Sequence, residues 1–304
     1  MTMRALILGA AAGGGLPQWN CAAPNSRAAW DRSAAPRATQ SSLAATGDGS
    51  AWALVNASPD LRAQIMATPD LQPRPAATHG LRNSPIVSVL LTNGDIDHVA
   101  GLLTLREGHA FDLFATEAIH EVLDANPIFA ALDPARVARR RVGLDAPFEL
   151  APGLRATLYA VPGKVPLYLE GETVETGLVG EQTVGVALSD GARTLQYVPG
   201  CAAMTADLAA RLNGADAVLF DGTVFHDDEM IRECVGWKTG ARMGHMAMAG
   251  PQGSLAAFAG VEAGRKVYVH INNTNPVWRP DAPERAEVEA AGWEIGFDGM
   301  EIAL

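Results

Sequence analysis

The stretch Ile86-Val-Ser-Val-Leu-Leu-Thr92-Asn-Gly-Asp95-Ile-Asp97-His98-Val-Ala-Gly-Leu102 decides how the rest of the chain is read. Residues 86–92 are mostly β-branched or apolar on both alternating faces, the pattern of a strand covered on both sides. Directly after it come two carboxylates and an imidazole. Asp97 and His98 are neighbours and cannot both point inward from a regular strand. The chain must therefore turn, and a loop entering a helix over 100–108 lets them converge. In open α/β layers, sites form beyond the carboxyl ends of strands. Such a polar cluster is costly to bury unless it is hydrated, caps a helix or holds an ion.

Working outward, short apolar runs at 4–8, 51–56, 156–161, 183–188, 194–198, 217–220 and 266–271 predict further strands. Helical stretches are expected over 117–126, 202–212, 253–259 and 283–291. Many strands with interspersed helices predict an α/β sandwich with helices outside, in one domain spanning 1–304. Three more segments place polar groups at strand ends or in loops: Phe220-Asp221-Gly-Thr223, Met243-Gly-His245-Met and Val267-Tyr-Val-His270-Ile-Asn-Asn-Thr-Asn-Pro276. Caps and turns use the same residue types, but their recurrence points to a shared site.

Composition narrows the function. The chain has 304 residues, 48% hydrophobic and 19% charged, so a large core forms and wholesale disorder is excluded. A net charge of −11 argues against nucleic-acid phosphates and anionic membrane surfaces as partners. Three cysteines (Cys21, Cys201 and Cys234) cannot build a disulfide framework, which favours a reducing, cytoplasmic compartment. No apolar run is long enough to span a membrane. The start, Met1-Thr-Met-Arg followed by a short apolar stretch, has the outline of a signal peptide, but the stretch is short and glycines follow it, so a first strand over 4–8 is expected. The run Gly9-Ala-Ala-Ala-Gly13-Gly14-Gly15 does not fit a dinucleotide or phosphate-binding loop and predicts a tight turn or close backbone packing. The basic run Arg136-Val-Ala-Arg139-Arg140-Arg141 reads as a solvated face. His109, His120 and His226 read as surface or hydrogen-bonded residues, and Trp19 and Trp278 as candidate pocket walls.

These segments, with the opening Leu8-Gly-Ala-Ala-Ala-Gly-Gly-Gly-Leu-Pro-Gln-Trp-Asn-Cys21, Pro162-Gly-Lys-Val-Pro-Leu-Tyr168 and Tyr197-Val-Pro-Gly-Cys201, resemble the metallo-β-lactamase superfamily. Within it they resemble the pyrroloquinoline quinone (PQQ) biosynthesis protein B (PqqB) family, over nearly the whole chain. The resemblance implies an αββα four-layer sandwich. Against the superfamily motif H-x-H-x-D-H, this chain reads Asn93-Gly-Asp95-Ile-Asp97-His98, so both early histidines are replaced. Lys164 stands where a middle-loop histidine is usual, and Pro199-Gly200-Cys201 where a bridging carboxylate is usual. One of two metal sites is therefore expected to be dismantled, and Asp97, His98 and His270 to form the other.

Two histidines and one carboxylate make the facial set of non-haem Fe(II) oxygenases, and zinc also accepts such a set, as a non-native occupant. The family resemblance implies an iron-dependent hydroxylase acting with O2 on a tyrosine-derived ring in a small peptide or amino-acid precursor. Asp95, Asp221 and His245 are then expected to orient ligands or move phenolic protons, and Lys164 and Arg242 to receive substrate carboxylates. Two alternatives use the same fold: a metal-dependent hydrolase, and a non-catalytic carrier or transport factor for the cofactor or its precursor. Family members usually carry Cys-x-Cys-x-x-Cys after Trp-Asn. Here Cys21-Ala-Ala23-Pro-Asn-Ser26 keeps one thiol, so no structural zinc is expected there. Superfamily members commonly pair, which implies a homodimer.

Overall fold

The computed structural model describes residues 3–32, 34–74, 80–171 and 173–304. Met1 and Thr2, part of the signal-peptide alternative, lie outside them. The first sheet is built from β1 (Arg4–Gly9), β2 (Ser42–Thr46), β3 (Trp52–Val55), β4 (Ile86–Leu90), β5 (Phe111–Ala115) and β6 (Val137–Arg141). The second uses β7 (Phe148–Ala151), β8 (Leu154–Ala160), β9 (Val184–Ser189), β10 (Thr194–Val198), β11 (Ala217–Asp221), β12 (Arg265–Val269) and β13 (Glu294–Ile295). The last strand, β14 (Met300–Ala303), returns to the first sheet. The orders are β14-β1-β2-β3-β4-β5-β6 and β13-β12-β11-β10-β9-β8-β7.

Each sheet is antiparallel in one part and parallel in another. β3, β4, β5 and β6 run parallel in the first sheet, and β10, β11, β12 and β13 in the second. Parallel strands need crossover connections, and their buried faces demand the continuous apolar runs seen in the sequence. The faces are dry: β3 and β11 are buried at every position. Few polar links cross between sheets, such as the Ser88 hydroxyl donating to the Leu150 carbonyl at 2.6 Å. The result is the expected four-layer metallo-β-lactamase fold.

The strand ends of the two sheets meet at the rim that carries the site. Ala12 N–H donates to the Ile271 carbonyl, and Ile271 N–H to the Ala10 carbonyl, each at 2.9 Å. Val184 N–H donates to the Thr92 carbonyl at 2.9 Å. The glycine run passes through this junction. A Cβ on Gly9 would stand 2.1 Å from the Gln40 carbonyl oxygen, and one on Gly13 would touch the Asp97 side chain at 3.5 Å. Close backbone approach is thus the reason for Gly9, and left-handed backbone (φ of +93° and +70°) the reason for Gly14 and Gly15.

Several elements differ from expectation. The helix expected over 100–108 is one α-helical turn at Ile96–Val99 continuing as a 3₁₀ run at Ala100–Arg106. The helix expected from 202 starts at Ala206, because Thr205 caps it by accepting from Leu208 N–H. The basic run is not merely a solvated face; it is edge strand β6, with Arg139 paired to Asp124, Arg140 to Asp112 and Arg141 to Glu117. Trp278 is fully buried, its indole N–H donating to the Asn272 carbonyl at 2.8 Å, and Trp19 is 81% exposed. Neither lines the cavity described next.

Candidate metal centre

Beyond Leu90 the chain leaves β4 through Thr92, whose backbone N–H donates to Asn56 Oδ1 at 2.9 Å. Asn93 then makes a tight turn. Its Oδ1 accepts from Asp95 N–H at 2.9 Å and lies 2.7 Å from His98 Nδ1. An amide oxygen only accepts, so His98 carries its proton on Nδ1 and presents a lone pair at Nε2. That Nε2 is buried and has no hydrogen-bond partner. Burial pushes the His98 pKa down to about 4, against the pull of Asp97, so the imidazole is neutral at pH 7.

From the other sheet, β12 ends at Val269 and the next residue, His270, bends the chain with φ of +56°. Left-handed backbone at a non-glycine residue costs about 1–2 kcal/mol, and such strain gathers at functional sites. His270 Nδ1 lies 2.9 Å from Thr223 Oγ1. The Thr223 hydroxyl donates to Asp221 Oδ1 at 2.7 Å, so it accepts from His270 Nδ1–H. His270 Nε2 then faces Asp97 Oδ2 at 3.1 Å. The Asp97 charge raises the His270 pKa against the effect of burial. Burial opposes ionisation of Asp97 in turn, but His98 and His270 win and hold it well below the usual carboxylate range.

Asp97 Oδ2 lies 3.1 Å from His270 Nε2 and 3.8 Å from His98 Nε2. Those separations suit one ion about 2.0–2.2 Å from each donor. An orphaned imidazole lone pair, a carboxylate held ionised and a second imidazole converge, and the residues fit a divalent metal.

A second convergent group, Asp221, His245 and His270, lies alongside. The Asp221 oxygens and both Nδ1 atoms are already paired, and His245 Nε2 faces the cavity. Asp221 Oδ2 accepts from Cys201 N–H at 2.8 Å and faces His245 Nδ1 at 2.7 Å; Asp221 Oδ1 accepts from Thr223 N–H and Oγ1–H. Burial would raise the Asp221 pKa, but His245 and Thr223 hold it below the ordinary value. The pairing accounts for this group without an ion.

A cavity of about 240 Å³ opens over these residues, lined among others by Asp95, Asp97, His98, His245 and His270. Asp221 lies behind the wall and reaches the cavity through His245 and Thr223. Asp95 Oδ1 accepts from Leu167 N–H at 3.2 Å, and burial and the Asp97 charge raise its pKa. Lys164 lines the cavity, but its Nζ lies 3.0 Å from Glu170 Oε1. Arg242 is not among the lining residues; its Nη2 lies 3.0 Å from Glu170 Oε2. The structure thus places both expected carboxylate receivers on one internal carboxylate. Cys201 is buried, and burial raises its pKa. Cys21 belongs to neither convergent group; its sulfur accepts from Ala23 N–H at 3.4 Å. The sequence reading missed the anchoring roles of Asn93 and Thr223. The signal available was a short polar side chain just before or two residues after a strand-end acid, the usual place for side-chain–backbone turns.

Fold and site define a member of the β-lactamase superfamily, whose domain model matches residues 51–271. Among solved structures of this fold is a diphosphatase of the PhnP family, with a TM-score of 0.69 at 19% identity, covering 100% of this chain and 98% of that one. Within the superfamily the chain belongs to the coenzyme PQQ synthesis protein B family. It is 58% identical over 302 residues to that protein of Ruegeria pomeroyi, and 56% identical over 305 residues to that of Methylobacterium radiotolerans. Each match covers 99% of this chain and 100% of the relative. The crystal structure of Zn2+-bound PqqB from Methylobacterium extorquens superposes with a TM-score of 0.96 at 53% identity, covering 99% of this chain and 100% of that one.

Proposed function

We propose that the protein hydroxylates a tyrosine-derived ring, in a small peptide or amino-acid precursor of PQQ, using Fe(II), O2 and two electrons from an external reductant, with the second oxygen atom leaving as water. The observation that carries this reading is the unpartnered, buried His98 Nε2 facing Asp97 and His270. Two histidines and one carboxylate make a facial set that leaves coordination positions open. Asp97, His98 and His270 would hold the iron, which supplies oxygen activation when bound. Zinc accepts the same donors, and the Methylobacterium extorquens relative was crystallised Zn2+-bound; we read zinc at this site as a non-native occupant. No structural zinc is proposed at Cys21.

The chain's other residues act on geometry and protons. Asn93 and Thr223 fix the rings of His98 and His270 through their Nδ1 atoms. Asp221 holds His245 by Nδ1, leaving Nε2 as the basic atom at the cavity. His245 Nε2 would take the phenolic proton, and Asp95 would relay it. A hydrolase needs a nucleophilic hydroxide, most effectively held between two metals. The pairing of both Asp221 oxygens with N–H and O–H donors disfavours a second ion.

The test is anaerobic reconstitution with Fe(II), followed by oxygen uptake with a tyrosine-containing dipeptide and ascorbate as the two-electron reductant. The reading expects oxygen consumption with formation of a catechol product, and His270→Ala losing iron binding and turnover together. Iron retained at full stoichiometry in that variant overturns the ligand assignment. Zinc-dependent, oxygen-independent cleavage of an ester or amide would favour the hydrolase.

A further inference from the structure

We propose that Lys238 is the residue that recognises a carboxylate on the molecule occupying the cavity. The proposal deepens the function above, since it treats this cavity as the substrate pocket. Two lysines line the cavity, Lys164 and Lys238. The Lys164 ammonium is engaged by Glu170, whose side chain is only 7% exposed and is also gripped by Arg242. Withdrawing Lys164 for a ligand would leave a buried carboxylate short of a partner, which is costly. Lys238 has no such commitment: among the described residues no carboxylate pairs with it.

Its aromatic neighbour contacts it without neutralising it. The Lys238 Nζ lies 5.7 Å from the centre of the Trp237 ring, and the Arg242 guanidinium also lies 5.7 Å from it. Arg242 is anchored on Glu170, and the indole beside it offers Lys238 a resting surface. A cation–π contact is weaker than a charge-assisted hydrogen bond, so an incoming carboxylate can draw the ammonium away. The rest of the cavity supports the same polarity. Asp95 and Asp97 line the end of the cavity at the candidate metal centre, and Lys238 supplies positive charge elsewhere on its wall. A ligand with its ring toward the histidines and its carboxylate on Lys238 satisfies both regions. The class is an aromatic amino acid or short peptide with a free carboxylate.

The test uses the metal-loaded protein under nitrogen, where binding is read without turnover. The probes are 3-(4-hydroxyphenyl)propionate and its neutral amide, titrated by calorimetry. Wild type is expected to bind the acid at least about tenfold more tightly than the amide, a difference of about 1.4 kcal/mol. Lys238→Ala should bind the two alike, and Lys238→Arg should keep most of the preference. Lys266→Ala, a lysine remote from the cavity, serves as the charge control and should retain it in full. Circular dichroism checks that each variant is folded. The proposal is overturned if wild type binds acid and amide equally, if it binds neither, or if Lys238→Ala keeps the preference. The function above fails separately: a Lys238-dependent preference without oxygen uptake sinks the hydroxylase and leaves the carboxylate site standing.

Discussion

The side-chain oxygen of Asn93 closes the turn by taking the Asp95 N–H and sets the tautomer of His98 by taking its Nδ1–H. Removing that oxygen frees the ring to rotate. Asn93→Ala should therefore weaken Fe(II) affinity roughly 10- to 100-fold while the protein stays folded, measured by anaerobic competition against a chromogenic chelator. Unchanged affinity would show that Asn93 does not orient the ligand. Glu229 matters at the same scale for a different reason. It is buried, accepts from Phe225 N–H at 2.8 Å and from the Thr274 hydroxyl at 2.7 Å, and so pins the loop that follows His270. Burial outweighs these bonds and raises its pKa from 4.5 to about 7. The folded protein thus binds this proton more tightly than the unfolded chain. The resulting stabilisation is full below about pH 4.5 and is lost as the pH rises to about 7, in all about 3 kcal/mol. Glu229→Gln should flatten that part of the pH profile, read from urea unfolding at about pH 5 and about pH 8. Parallel profiles in variant and wild type would count against it.

At the scale of elements, strand β1 runs straight into the glycine run, and Gly9 allows no side chain. Gly9→Ala would press a methyl group into the Gln40 carbonyl. The expected loss is about 1–3 kcal/mol, seen as a lower denaturation midpoint, with weakened metal binding because Gly13 packs on Asp97. Legibility in the sequence followed runs of large apolar residues rather than burial itself, since β2 is buried at every position. Strands β4, β10 and β11 were readable because each is an apolar run with no competing period. Strand β2 was missed because Ser-Leu-Ala-Ala-Thr has small residues and no alternation. Strand β6 was missed because an edge needs little apolar surface, and charge there discourages pairing with other chains. The strand-end acids and histidines were legible for a similar reason, since polar groups stand out against apolar runs. Lys238 and Glu170 were not. They lie on loops where a charged residue is ordinary, and only their placement in space distinguishes them.

For the whole molecule, the candidate metal ligands come from both sheets: Asp97 and His98 follow β4, and His270 follows β12. An ion bound there joins the two halves. Binding only to the folded state, at about 100 times its dissociation constant, adds about 2.7 kcal/mol. The apparent melting temperature should therefore rise with added Fe(II) under nitrogen and fall back with chelator, and His270→Ala should abolish the rise. A wild-type melting temperature indifferent to metal would argue against the site. The return of β14 to the first sheet has a different consequence. Its partner β1 lies at the opposite end of the chain, with Arg4 opposite Ala303. During synthesis, β1 therefore waits with one edge bare until β14 (Met300–Ala303) has been made. The ribosome must release the closing segment before that sheet is sealed, so the nascent protein passes through a long interval in which an apolar border is open to strangers.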